Sequence, residues 1–199
     1  MGKITRLKAM ERFLKFPKTF DNKYMNYPCQ ITIEGIKYYG FTDGYSIAIT
    51  TEDIGTLELY DADKYNGVPY PNLAVYLEDS KYTKVENFQI NSIITEAKKQ
   101  GFKLTKHCNR KKPFLLKFAG AFYDIALIYK AYSIIDTGKS VIAKYDTERA
   151  FSPIILSNAI GKCFMLPIGV KEENEINYGH TIIYYDDILN AKKKTVTTL

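Results

Sequence analysis

Phe151-Ser-Pro-Ile-Ile-Leu-Ser157 and Cys163-Phe-Met-Leu-Pro-Ile168 are two apolar runs separated by a short polar stretch, 158–162. Proline cannot donate to a β ladder, so Pro153 and Pro167 mark strand edges or ends. The segment therefore reads as a strand opened by Ser-Pro, a reversal, and a second strand closing on Leu-Pro-Ile. Just upstream, Phe122, Ile125, Tyr129 and Tyr132 recur at i, i+3, i+7 and i+10, with Ile128 beside them. That spacing predicts a helix over 121–134 with a wide core-facing stripe. Gly138 ends the connection, and 140–145 is a further strand. A helix thus leads a meander of strands.

The beginning of the chain has the same order of elements. Ile4, Leu7, Met10 and Leu14 give residues 4–15 an apolar helical face, and Pro17 stops the helix. Lys8, Arg12 and Lys15 lie at i, i+4 and i+7 and form a basic stripe beside that face. A solvated face and a phosphate-contacting face both fit the stripe. Residues 29–34 alternate through Ile31 and Ile33, and Gly35 turns the chain into an aromatic and β-branched run, 36–41. Thr42-Asp-Gly44 is a turn, with Asp bonding locally and Gly supplying positive φ. Residues 45–51 alternate through Ile47 and Ile49, and 56–60 makes one more strand with Leu57 and Leu59 on one side.

Between the two units, 61–72 reads as a loop rich in Asp, Asn, Gly and Pro, and 73–77 as a strand. A second helix begins near Asn91 or Ser92, buries Ile93, Ile94 and Ala97, and stops at Gly101. Residues 103–113 form a basic loop carrying Arg110, Lys111 and Lys112, suited either to phosphate contact or to solubility. The tail carries an apolar island at 181–185, expected to add one strand and a short helix. The chain divides into a first half, 1–72, a connecting segment, 73–113, a second half, 114–170, and a charged tail, 171–199. The fold class is α+β, with helices packed on antiparallel sheet.

Lys and Arg number 28 against 22 Asp and Glu, a net charge of +6 that permits an anionic partner without requiring one. Cys29, Cys108 and Cys163 are widely spaced, and no Cys-x-x-Cys occurs. The basic start has no apolar run behind it. Reduced thiols and a cytoplasmic location are the expectation. No segment approaches the roughly 18 uninterrupted apolar residues of a membrane helix.

Chemistry-bearing patterns are sparse. His107 and Cys108 are adjacent, and His180 is remote, so no metal-ligand set is expected. Neither histidine accompanies a Gly-x-Ser-x-Gly elbow, and no phosphate-binding Gly-x-x-x-x-Gly-Lys-Ser/Thr loop occurs. Asp186 and Asp187 are the carboxylate pair on which a magnesium-dependent phage or mobile-element nuclease could be built. No catalytic constellation, and no cofactor, is expected.

Taken together, Phe41-Thr-Asp-Gly-Tyr-Ser-Ile-Ala48, Phe122-Tyr-Asp-Ile-Ala-Leu-Ile-Tyr-Lys-Ala131, Ser152-Pro-Ile-Ile-Leu156 and Phe164-Met-Leu-Pro-Ile168 resemble motifs of the bacterial DNA sliding clamps, the β subunit of the replicative polymerase. The first is similar to the family's Ala-Thr-Asp-Gly-His-Arg-Leu-Ala stretch. The others are similar to its closing helix, Ser-Pro strand and Met-Pro strand. The resemblance implies a DNA-clamp-like fold of repeated helix-plus-antiparallel-strands units, forming curved sheets with helices on one face. It implies a non-catalytic, processivity-factor-like role in bacterial or phage DNA replication, and a possible homo-oligomer, since a ring would need several copies of so short a chain. DNA would be held non-specifically through its backbone by Lys8, Arg12, Lys15, Lys98 and Lys99, joined by Arg110, Lys111 and Lys112. Short peptides of a DNA polymerase or other replication proteins would enter a pocket made by Thr42, Gly44, Tyr45, Ser46 and Ile47 on one side and Phe164 and Leu166 on the other. Ser46 and Gly169 stand where the family has Arg. A protein-interaction module that kept the fold without DNA binding is the further alternative.

Overall fold

Alternating side chains on two short segments set the centre of the molecule. In Ser46–Thr50 (β3) and Gly161–Met165 (β9), Ile47, Ile49 and Phe164 point to one face while Ala48, Cys163 and Met165 point to the other. Both faces are buried, so neither strand can slip by one residue without inverting two cores. The two pair antiparallel, with Ile47 opposite Phe164 and Ala48 opposite Cys163.

The computed structural model describes residues 3–15, 23–78, 82–103, 113–148, 151–169 and 181–196. On one side of β3 lie Ile36–Thr42 (β2) and then Cys29–Ile33 (β1). On the other side of β9 lie Ile154–Asn158 (β8), Val141–Tyr145 (β7) and, at the far edge, Lys84–Phe88 (β4). All seven strands are antiparallel to their neighbours. A smaller three-stranded sheet holds Phe114–Phe118 (β5) between Ala121–Asp124 (β6) and Thr181–Tyr184 (β10), with β10 parallel to β5.

Helices cover one face of the main sheet. Lys3–Leu14 (α1) and Ile125–Ile135 (α3) pack against each other and over β3, β9 and β2. Ile90–Lys99 (α2) adjoins α3, and Tyr185–Val196 (α4) follows β10 and lies against β5. Met10 and Phe13 of α1 and Ile128 and Ala131 of α3 meet Phe41, Ala48, Leu156, Cys163 and Met165 of the sheet in one apolar core. Burying each large side chain of this set contributes roughly 1.5–3 kcal/mol. Two bonds tie α3 to β8 and β9: the Asn158 amide donates to Ile135 O at 2.7 Å, and Cys163 Sγ donates to Ala131 O at 3.2 Å.

The opposite face is also covered. Leu73 opens a 3-10 turn, Leu73–Tyr76, Leu77 closes it, and both pack with Cys29, Ile47, Ile49, Ile155 and Phe164 in a second cluster. Gly40 makes room for this cover: a Cβ there would stand 2.8 Å from Leu73 Cδ1.

The chain therefore runs helix-strand-strand-strand twice, as α1-β1-β2-β3 and α3-β7-β8-β9, and the two runs join through β3 and β9. Several sequence expectations change. Residues 56–60 take no strand, because Leu57 and Leu59 pack against the core from an irregular segment whose Tyr60 N–H donates to Pro28 O. The expected strand at 73–77 is the 3-10 turn, which Asn72 caps by accepting from Ala74 N. Residues 121–124 form β6, not helix, since the chain reverses at Ala119-Gly120, both with positive φ, and Asp124 then caps α3. α2 begins at Ile90, ahead of Asn91 and Ser92, with no side-chain cap bond at Gln89. β4, which ends at Phe88, was not expected.

Candidate functional site

The seam between β3 and β9 brings together the two stretches singled out as pocket halves. It begins at the turn before β3. Asp43 Oδ1 accepts from Tyr45 N at 3.0 Å, Ser46 N at 2.7 Å and Ser46 Oγ at 3.0 Å. Thr42 Oγ1 donates to Ser46 O at 3.1 Å and accepts from Gly44 N at 3.2 Å, and Gly44 has a φ of +88°. Thr42 Oγ1, Asp43 Oδ1 and Ser46 Oγ thus serve the turn itself. Thr42 and Ser46 are buried, and neither offers a polar surface.

Asp43 is also bound from behind. Its Oδ2 pairs with Lys130 Nζ of α3, both side chains being buried, and Lys130 Nζ sits 4.6 Å from the Phe13 ring centroid of α1. The sequence offered no sign of this pair, because the two residues lie 87 positions apart.

Across the seam, Ile47 faces Phe164 and Ser46 faces Met165, and Leu166 N donates to Tyr45 O at 3.0 Å. Ile47 and Phe164 are core residues beneath Leu73 and Leu77. Tyr45 and Leu166 are each 40% exposed. Side-chain alternation puts both on the outer face with Phe164. Tyr76 adds a ring 5.6 Å from that of Phe164, and Tyr76 and Val75 are themselves exposed. The accessible apolar surface is therefore Tyr45, Leu166, Tyr76 and Val75 over a buried floor. Sequence reading missed Tyr76 and Val75 because 73–77 carried no sign of returning to cover the sheet.

The helix layer carries the basic candidates. Lys8 and Arg12 are exposed along α1 and Lys15 just after it, opposite the buried Ala9, Met10, Phe13 and Leu14. Lys98 and Lys99 are exposed at the end of α2. Lys98 Nζ stands 5.9 Å from the Tyr129 ring of α3, and Lys99 pairs with Glu96 at 3.4 Å. Cations thus flank α3 on two helices. Arg110, Lys111 and Lys112 lie outside the described residues.

Among the described residues, no three His, Cys, Asp or Glu side chains converge on a common point. Asp186 and Asp187 are exposed in the first turn of α4. Burial pushes the Cys29 thiol up to about 12, and Cys163 rises for the same reason, so neither is a thiolate at neutral pH. No helix among the described residues is long and apolar enough to cross a membrane.

No protein-family model matches the chain, and no curated protein or solved structure matches it.

Proposed function

We propose that the chain is a non-catalytic, sliding-clamp-like accessory of DNA replication. It holds DNA through its helix layer without regard to sequence, and takes short peptides of replication proteins on the outer face of the β3–β9 seam.

The observation that carries this reading is the adjacency of two stretches more than a hundred residues apart. Ser46–Thr50 and Gly161–Met165 pair strand to strand, so the residues proposed as pocket halves adjoin one another. The doubled helix-plus-three-strand order around that seam supports a clamp-like plan. Tyr45, Leu166 and Tyr76 supply the apolar contacts that a two- or three-anchor peptide needs. On the other side, Lys8, Arg12, Lys15, Lys98 and Lys99 offer mobile cations to phosphate, a contact that is salt-sensitive and indifferent to base sequence.

The test is fluorescence anisotropy with two unrelated DNA duplexes at low and moderate salt. Alanine at Lys8, Arg12 and Lys15 together should weaken both complexes equally, and flatten the salt dependence by roughly one unit of log-log slope per lost contact. Unchanged affinity at low salt removes α1 from the interface. Cleavage of the duplexes on adding magnesium would replace the reading with an enzymatic one. Solution mass with and without DNA decides whether copies assemble around it.

A further inference from the structure

A second site lies where the edge of the main sheet meets the small sheet. The middle of β4 and the end of β7 lie beside β5, the end of β10 and the start of α4, and they leave a cleft of about 480 Å³ between them. Its polar lining is Glu86, Lys117, Tyr145 and Asp186, with Tyr184 and Tyr185 supplying further ring surface.

The walls are fixed by aromatic packing. The Tyr185 ring stacks on Phe88 at 5.0 Å and meets Phe118 edge-on at 4.9 Å, while Tyr145 meets Phe118 at 4.8 Å. Tyr185 Oη donates to Asn87 O at 3.2 Å and accepts from Gln89 N at 3.0 Å, which locks the start of α4 to the end of β4. Such a cleft is formed before any ligand arrives.

Glu86 is the unusual member. Its Oε2 accepts from Tyr145 Oη at 2.9 Å, but its Oε1 is buried with no hydrogen-bond partner. A buried carboxylate oxygen without a donor is costly, so its presence calls for an explanation. Lys117 is the cation of the lining, and its Nζ lies 5.1 Å from the Phe122 ring and 5.8 Å from the Tyr184 ring. Tyr145 is pushed up to about 12 by burial and by the Glu86 carboxylate. Tyr185 is raised by burial and, like Tyr145, by the nearby Glu86 carboxylate. Both phenols stay neutral at physiological pH. The lining then carries two carboxylates against one ammonium, and lacks one positive charge.

We infer that this cleft binds a guanidinium group, with Glu86 Oε1 accepting its N–H donors, Asp186 balancing its charge at the mouth, and the tyrosine rings bounding its planar faces. A guanidinium suits the site better than an ammonium, because it is flat, stacks on aromatic rings and presents paired donors to a carboxylate. The group can come from a free small molecule or from an arginine of a partner chain. The inference is independent of the replication reading, since none of its residues belongs to the β3–β9 seam or to the basic stripe.

The experiment is calorimetric titration of the full chain with three probes: N-acetyl-arginine methylamide, the uncharged citrulline counterpart, and the peptide Gly-Gly-Arg-Gly-Gly. Saturation by the blocked arginine and not by citrulline supports the site and shows that a small molecule suffices. Saturation by the peptide alone also supports it and assigns the group to a partner chain. Glu86→Gln should weaken binding by about ten- to a hundredfold, the scale of one charge-assisted hydrogen bond. Asp186→Asn, an exposed change that leaves the core untouched, should weaken it by a smaller factor and keeps the test decisive if Glu86→Gln does not fold. Equal binding of citrulline, unchanged affinity in the variants, or no saturation by either arginine probe overturns the inference.

Discussion

Lys130 and Asp43 form an ion pair inside the protein, shielded from water on both sides. The ammonium arrives from α3, the carboxylate from the turn that starts β3, and the Phe13 ring of α1 closes the third side at 4.6 Å. Three segments distant in sequence are thereby fixed by one side chain.

Breaking this pair from either end leaves a buried charge alone. Lys130→Ala should cost about 3–5 kcal/mol, read as a fall in the urea midpoint. Lys130→Met, which keeps the stem over Phe13, should remain costly because Asp43 is still stranded. Adding Asp43→Asn to it should recover much of the loss, since Asn retains an acceptor for the Tyr45 and Ser46 N–H groups. A double variant no better than Lys130→Met would mean that the charges are not coupled.

Asp124 caps α3 by accepting from Ala126 N at 2.7 Å. Its carboxyl is held above the ordinary carboxylate value, chiefly by burial, with the Ala126 and Leu127 N–H groups and Lys130 pulling the other way. The folded chain therefore keeps a proton here that the unfolded chain has released. Stability falls as pH rises from the unfolded pKa through the folded one, and the deficit persists above. Asp124→Asn keeps the cap without the charge. It should be more stable than the parent at neutral pH, with the difference shrinking toward about pH 4. Asp124→Ala should lose roughly 1 kcal/mol through the missing cap. Thermal melts across this pH range check both signs.

Gly161 opens β9 directly against β3. A Cβ there would stand 2.1 Å from Ile49 O and 2.7 Å from Ile135 Cγ2. The first obstacle is backbone in a paired strand and cannot swing aside. Gly161→Ala should destabilise by about 3 kcal/mol, at the upper end for overpacking, whereas Gly67→Ala, with positive φ but open space, should cost less. Comparison of the two by chemical denaturation separates crowding from backbone strain.

Leu73 and Leu77 are each 1% exposed, though neighbouring Val75 and Tyr76 face solvent. Leu73→Ala or Leu77→Ala should lose about 2–5 kcal/mol and increase binding of an apolar dye as the outer sheet face opens. Val75→Ser should do neither. If the outer seam takes peptides, Tyr76→Ala should weaken capture while leaving the denaturation midpoint nearly unchanged.

How far the sequence could be read follows from the range of the forces involved. Strands with strict alternation, such as 46–50, and helices with clear stripes, such as α1, were visible because a two-sided or one-sided core imposes its period locally. Asp43 was readable as a turn residue but not as an ion-pair partner, since its Lys130 comes from the other half of the chain. β4 escaped because Lys84, Val85 and Asn87 are solvent-facing on an edge strand, so its period carries little apolar contrast. Residues 121–124 were absorbed into the following helix, as their aromatic spacing fits both a helical stripe and a buried hairpin. Of the seam residues, Ile47 and Phe164 are buried, because the segment bearing Leu73 and Leu77, which has no clear strand or helix period, returns to cover them.

The pairing of β3 with β9 also bears on how the chain assembles. The middle of the main sheet joins residue 48 to residue 163, so its central ladder cannot form until the hundred and more residues between them have left the ribosome. Until then β3 is a bare edge whose outward carbonyls and amides are open to the wrong chain. Nascent copies crowded on one messenger are thus most exposed to mispairing during that interval, and slow emergence of the residues between β3 and β9 would lengthen it.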